Sequence, residues 1–377
     1  MNYILKIYDE PLVKFRLYDD IGLKAGISWV SRNLEELMPL GMDCTDEGIV
    51  KWLQRRAIPR NRANVGRLLL SMGLSSDDRK GLVDISKALS LNDSYWVVSE
   101  DFSGSFKDFN LYENSFSEIL ALVAYTGQSL SFKGNSSSPE WTTNGMLPKA
   151  WRRTPEGIFL YKGGTSGASN AGREPFSEFH AAQIASLMDI DAVSYTLEEW
   201  KGILSSKCRL FTDIDTAFVP IGAIVDGGIE ECIRYMDGIG SSEQIRDMLA
   251  FDAVIYNEDR HFGNFGVLRD NHTGRVLRMA PLFDQGNSLF CHAAVHSQTD
   301  VDDYRDISSY ARTLDNPYRA SYDELCHKYL ERSQYEKLEK LSDLELGCNN
   351  DHDLPMEHLD AIRQQVIRRA GQLLSLR

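Results

Sequence analysis

Residues 257–266 read NEDRHFGNFG, and a second acidic position, Asp284, follows in APLFDQGNS. Asp259 is trailed five positions later by an amide, Asn264, and Asp284 lies beyond a stretch patterned as a hairpin. Two carboxylates and an amide in this order suit transfer of a phosphoryl group to a hydroxyl. One carboxylate takes or orients the hydroxyl proton, while the amide oxygen and the other carboxylate hold Mg²⁺ against the phosphates. Asp259 is the candidate base, and Asn264 and Asp284 are the candidate metal ligands. The chemistry also needs a cation for the α/β-phosphates of ATP, because positioned charge supplies most of the rate. Lys162 ends the strand-like run GIFLYK, and Glu178, near the start of FSEFHAAQIASLM, offers that ammonium a partner. An aspartate with an asparagine five residues on is common by chance. The ordered set with Lys162, Glu178 and Asp284 is what argues for a site.

The elements that must hold these groups are legible as patterns. A helix over 241–255, opened by a Ser241/Gln244 capping box, delivers the chain to Asn257. Strands over 265–268 and 275–279, joined by DNHTG, carry it on to Asp284. Upstream, two polar loops, 131–145 and 163–175, flank the strand 157–162, an arrangement suited to a flap over a nucleotide. A helix over 175–188 tolerates Pro175 in its first turn, and 208–211 and 217–225 read as strands. Residues 3–18 predict an opening hairpin broken at Asp9, Glu10 and Pro11. Residues 46–73 predict two helices parted by Pro59, with Ile49, Trp52 and Leu53 on one stripe and Val65, Leu68, Leu69 and Met72 on the other. Arg55, Arg56, Arg60, Arg62 and Arg67 crowd this region. In an acidic chain they read as a solvated face with intramolecular salt bridges before they read as a nucleic-acid surface. Residues 81–98 continue as a helix and an aromatic strand at Tyr95, Trp96 and Val97. Leu359, Ile362, Val366, Ala370 and Leu373 give the terminal helix a core face.

The run NEDRHFGN, the later LFDQG and the upstream TTNGMLPKAW followed by YKGG resemble the HipA-like protein kinases, bacterial Ser/Thr kinases of which several are toxins of toxin–antitoxin pairs. The resemblance is firm over 142–284 and looser over 1–130. It implies an α+β, bilobal protein-kinase-like fold near the lipid-kinase branch, with an additional N-terminal α/β region and a largely helical C-terminal lobe. The implied organisation is an accessory region at 1–130, a kinase N-lobe with phosphate loop and hinge at 131–215, and a helical C-lobe with the catalytic and metal-binding loops at 216–377. It further implies that Asp259 is the catalytic aspartate, that Asn264 and Asp284 bind Mg²⁺, and that Lys162 meets the ATP phosphates with Glu178 as its partner. Residues 145–149 (GMLPK), bounded by Gly145 and Lys149, become the phosphate-covering loop. The strand at 209–211, with Arg209 and Phe211 at its ends, becomes the hinge whose backbone meets adenine. Some family members silence themselves by phosphorylating a hydroxyl of the phosphate loop. Thr142 and Thr143 are the natural candidates here, followed by Ser136, Ser137 and Ser138. The chain departs from wider kinase patterns in three places. The phosphate loop has one glycine, Gln285 stands where an aromatic usually separates Asp from Gly, and His261 follows Asp259 instead of preceding it.

Bulk composition agrees with a globular enzyme. The 377 residues are 42% hydrophobic and 25% charged, enough for two or three lobes, and the net charge of −14 argues against broad nucleic-acid or membrane-surface binding. No apolar run is long enough to span a bilayer, and the N-terminus has no small-residue cleavage site. The six scattered cysteines read as reduced thiols, so a cytoplasmic protein is expected. Cys291, His292 and His296 lack a nearby fourth ligand and read as a loop with incidental histidines. The hydroxyl-rich stretch 305–323 suits a regulatory phosphosite or an ordinary loop. Three functions stay open: a kinase for Ser or Thr on a protein substrate, with an antitoxin-type regulator by analogy; a catalytically silent nucleotide-binding scaffold; and a small-molecule or lipid kinase.

Overall fold

The structure is a computed structural model describing residues 1–19, 22–75, 77–130, 138–167, 171–293, 318, 320–349 and 352–377. The chain divides into two compact units. The first comprises Met1–Tyr161, Leu210–Val219 and Val267–Leu277, and the second comprises Lys162–Arg209, Pro220–Gly266 and Arg278–Arg377.

The first unit opens as alternation dictates. Tyr3, Leu5 and Ile7 point inward from β1 (Asn2–Ile7), which pairs antiparallel with β2 (Glu10–Asp19). With β3 (Leu23–Val30) and β4 (Tyr95–Ser99) they form a sheet ordered β3-β2-β1-β4. Helix Asp46–Arg55, capped by the Thr45 hydroxyl accepting from the Gly48 amide, buries Ile49, Trp52 and Leu53 in the same core. Helix Val65–Ser71 follows after the Pro59 break, and Leu68 and Leu69 pack in a second cluster with Leu120, Val123 and Trp141. Three of the five arginines of this region are in intramolecular ion pairs. Arg56 binds Asp93, Arg60 binds Asp77 and Arg62 binds Glu140. Strands β5 (Lys149–Thr154) and β6 (Gly157–Gly163) are neighbours, and the chain enters the second unit at Lys162. Strands Thr216–Pro220, Gly266–Asp270 and Val276–Met279 form a three-stranded sheet with Gly266–Asp270 in the middle.

In the second unit, β7 (Tyr195–Trp200) and β8 (Ile203–Arg209) make an antiparallel hairpin, and helix Glu174–Leu187 packs on both. Helix Ser242–Ile255 is the buried axis of the remainder, with helices Ile229–Gly238, Tyr322–Tyr329, Arg332–Glu339 and Met356–Leu374 against it. Leu359, Ile362, Val366, Ala370 and Leu373 are all buried.

Three local expectations change. The strand expected at 208–211 is Ile203–Arg209, so Phe211 lies beyond its end. The strand expected through 225 stops at Pro220, where a 3-10 turn, Ile221–Ala223, takes over. Ser241 does cap helix Ser242–Ile255 by position, but no capping box forms. Its hydroxyl accepts from the Met279 amide at 2.9 Å instead.

Candidate functional site

Helix Glu174–Leu187 carries the first part of the site. Its buried face includes Ser177, Glu178, Ala181, Ile184 and Ala185, a helical stripe that places a carboxylate among apolar groups. A buried carboxylate needs partners, and Glu178 has them. One oxygen accepts from the Lys162 ammonium at 2.7 Å, and the other accepts from the Ser206 hydroxyl on β8. Lys162 also donates to Asp284, so one ammonium lies between two carboxylates. Burial pulls that lysine toward neutrality, but Asp284 and Glu178 outweigh it and leave its pKa above the usual value. Burial pushes Glu178 up, partly offset by Lys162. Gly286 is close by: a methyl there would come within 3.2 Å of the Lys162 Nζ.

Asp284 is held from its backbone. Leu282, two residues before it, bridges in parallel to Ala192, with hydrogen bonds Val193 N to Leu282 O at 2.8 Å and Leu282 N to Asp191 O at 2.9 Å. The Asp284 amide donates to the Tyr195 hydroxyl at 3.1 Å. Its φ of +61° is left-handed, a conformation aspartate tolerates better than most residues and one that occurs at functional sites.

The second part is the loop after helix Ser242–Ile255. The helix ends on Tyr256 in the left-handed region, which turns the chain out at Asn257. Asn257 Oδ1 accepts from the Asp259 amide at 3.0 Å, and Asn287 donates to Asp259 Oδ2 at 3.0 Å. Asn264 Nδ2 donates to the Asp259 carbonyl at 2.9 Å, a bond that uses the donor side of the amide and not its oxygen. Between them sits Arg260, wholly buried and paired with an equally buried Asp252 from the last turns of the helix. Its Nη1 donates to the Asn264 carbonyl at 3.1 Å and to the Phe283 carbonyl at 2.5 Å. Burial would lower this guanidinium's pKa, but Asp252 more than compensates and raises it. Arg260 therefore ties the backbone of one metal-ligand candidate to the residue before the other.

Thus Lys162, Glu178 and Asp284 are in direct contact, Asp259 and Asn264 are in direct contact, and Arg260 joins the two sets. Arg260, Asp252, Ser206, Tyr195 and Asn287 were not singled out from the sequence. Arg260 sits inside NEDRHFGN, and a charged residue flanked by candidate ligands was the one available signal. Gln285, in the usual aromatic position, is buried, and neither amide atom has a hydrogen-bond partner among the described residues.

The remaining candidates belong to the first unit, except Arg209. Lys149 is buried and donates to the Asn144 carbonyl at 2.8 Å, and Gly145 has φ +92°. Thr142 is buried and donates to the Leu89 carbonyl at 2.7 Å, and Thr143 donates to the Pro139 carbonyl at 2.6 Å. Either hydroxyl must leave its acceptor before it can be modified. Phe211 packs edge-on against Phe218, and Arg209 is exposed at the end of β8. Ser138 is buried, whereas Ser136, Ser137, His296 and residues 305–317 lie outside the described residues. Among the described residues no group of three or more His, Cys, Asp or Glu is placed to hold a metal ion, and no helix is long and apolar enough to cross a membrane.

No protein-family model matches the sequence, and no match is found among curated proteins. Solved structures are. One is the Helicobacter pylori proinflammatory kinase CtkA, 15% identical, with 62% of this chain and 91% of that chain covered at a TM-score of 0.48. Another is HipA of the Shewanella oneidensis MR-1 toxin–antitoxin system, solved with HipB and its operator DNA. It is 10% identical, with 99% of this chain and 97% of that chain covered at a TM-score of 0.54. The likeness to HipA over nearly the whole of both chains shows that this mixed α/β protein has the kinase-like fold of HipA.

Proposed function

We propose that the protein is an ATP-dependent phosphotransferase of the HipA-like type that phosphorylates serine or threonine on a protein substrate. The observation that carries this is the Lys162 ammonium held between Glu178 and Asp284, joined through Arg260 to the Asp259–Asn264 loop. A lysine held between two carboxylates and tied to an Asp–Asn loop, in this order along the chain, is the set of groups that phosphoryl transfer uses.

Asp259, steadied by Asn287, accepts or orients the proton of the attacking hydroxyl. Lys162 meets the α/β-phosphates, and Glu178 sets its position. Asn264 and Asp284 supply an amide oxygen and a carboxylate. That donor set suits Mg²⁺, which takes one or two protein oxygens and completes its shell with water and phosphate. When bound, the ion neutralises charge on the transferring phosphoryl group. Gly145 and Lys149 serve the phosphate loop, Arg209 and Phe211 the adenine hinge, and Thr142 or Thr143 is the site of self-modification. HipA was solved with HipB, and an antitoxin-type regulator is proposed here on that likeness.

The test is transfer of labelled γ-phosphate from ATP with Mg²⁺ to lysate proteins, beside lipid and sugar pools. The wild type labels protein, and Asp259→Asn and Asp284→Asn each lose on the order of 10³-fold. Equal labelling by wild type and both variants refutes the assignment. Labelling of lipid or sugar in place of protein refutes the substrate class.

A further inference from the structure

Arg62 belongs to no segment assigned a chemical part above. It follows the Pro59 break, and its side chain and that of Glu140 are almost completely buried. Its guanidinium bonds in two directions. Nη2 donates to Glu140 Oε2 at 2.6 Å and to the Lys149 carbonyl at 2.8 Å. Nη1 donates to the carbonyls of Glu140 at 2.7 Å and Thr143 at 3.3 Å. The other Glu140 oxygen accepts from the Trp151 amide at 2.8 Å. One planar cation therefore grips the backbone on both sides of residues 144–148.

The loop so closed is built from within as well. Lys149 reaches back to the Asn144 carbonyl, Gly145 is left-handed, and the Ala63 amide, next to Arg62, donates to the Met146 carbonyl at 2.8 Å. Trp151 Nε1 donates to the Thr143 hydroxyl at 3.0 Å. Opening the neck breaks charge-assisted bonds that water cannot easily replace at a buried site. A buried ion pair is a poor device for stability alone, since well-packed apolar residues serve as well. A planar fork that bonds two chain segments at once is suited to fixing a shape.

We propose that Arg62 and Glu140 are positioning residues that clasp the neck of loop 143–149 and thereby set its grip on nucleotide phosphate. The nucleotide half of this rests on the reading of 145–149 as the phosphate loop. Neither residue touches substrate; both act through the loop. On this reading the Arg62 side chain is one way in which residues 1–130 bear on nucleotide handling.

The experiment uses the full chain in three variants. Arg62→Lys keeps the charge but, with three donors on one nitrogen, cannot reproduce the planar fork that reaches four acceptors. Glu140→Gln keeps the shape and removes the counter-charge, and it carries the test if Arg62→Lys does not fold. Asp93→Asn breaks a second, largely buried pair of this unit, Arg56–Asp93, and is the control for a merely structural effect. Hydrogen exchange without nucleotide is read first. The amides of 143–149 exchange roughly tenfold faster or more in Arg62→Lys and Glu140→Gln, with strands β1–β4 unchanged. Unchanged exchange in the loop, or an equal rise everywhere, overturns the clasp. Steady-state kinetics is read second. The KM for ATP rises roughly tenfold with kcat within about threefold, and Asp93→Asn leaves both near wild type. A fall in kcat at constant KM, or the same KM rise in Asp93→Asn, overturns the positioning role. If the wild type transfers no phosphate, the proposed function fails while the exchange measurement still decides the clasp.

Discussion

The Arg260–Asp252 pair offers the sharpest test of how the site is held. Both side chains are wholly buried, and the guanidinium also serves the carbonyls of Asn264 and Phe283. Asp252→Asn leaves a buried cation without its counter-charge. Breaking such a pair from one side costs about 3–5 kcal/mol, a large share of the stability of an ordinary protein. For a unit of this size that lowers Tm by roughly 6–20 °C. The catalytic effect is separable from the thermal one. A shift of about 1 Å in the Asn264 or Phe283 carbonyl moves both metal-ligand candidates and costs about 10²-fold in rate. Calorimetry gives the first number, and ATP turnover at a temperature well below either Tm gives the second. Arg260→Met removes the donor to both carbonyls and loses activity to the same degree. The double variant Asp252→Leu/Arg260→Met removes both charges, so it regains part of the stability without regaining turnover. Asp252→Asn with unchanged Tm and unchanged turnover refutes the reasoning. A lowered Tm with wild-type turnover shows that the pair is structural only.

Glu178→Gln keeps the hydrogen-bonding shape toward Lys162 and Ser206 but removes one of two charges on the ammonium. Asp284 remains, so the protein folds, and turnover falls roughly 10- to 100-fold, about 1.4–2.8 kcal/mol of barrier; wild-type turnover shows that the pairing of Glu178 with Lys162 has no part in catalysis. His358 is buried beside Arg173 and His180, and burial first, then those two groups, lower its pKa to about 4. Its folded pKa lies below the unfolded value of about 6.5, so its contribution is full above that value. It is lost as pH falls toward 4, by about 3 kcal/mol. Denaturant unfolding at pH 7.5 and 4.5 measures this, and His358→Gln flattens the difference. Gly145→Ala meets a φ of +92° and places a methyl 2.1 Å from the Lys149 Nζ. It costs about 1–2 kcal/mol in backbone strain, lowers Tm by about 2–8 °C and raises the KM for ATP; an unchanged KM separates this loop from nucleotide binding.

The sequence by itself determined the elements and the cast of charged residues. Periodicity located the opening hairpin, the helix pair around Pro59, the strand ending at Lys162 and the helix bearing Glu178. It did so because each buries one face, and a buried face writes a period of two or 3.6 into the chain. The order of Lys162, Glu178, Asp259, Asn264 and Asp284 was legible because charge chemistry limits residue type. The limits of the 209–211 strand and the Ser241 cap were not. Both depended on which distant backbone group took the hydrogen bond, as Met279 took the Ser241 hydroxyl. The same holds for the residues that brace the site. Arg260 looked like any polar neighbour in NEDRHFGN, and Arg62 like one more member of a basic cluster. A guanidinium's role is set by which carbonyls and carboxylates surround it, and those come from residues 4 to 87 positions away. Local sequence carries no record of such partners; only folding brings them within hydrogen-bond reach.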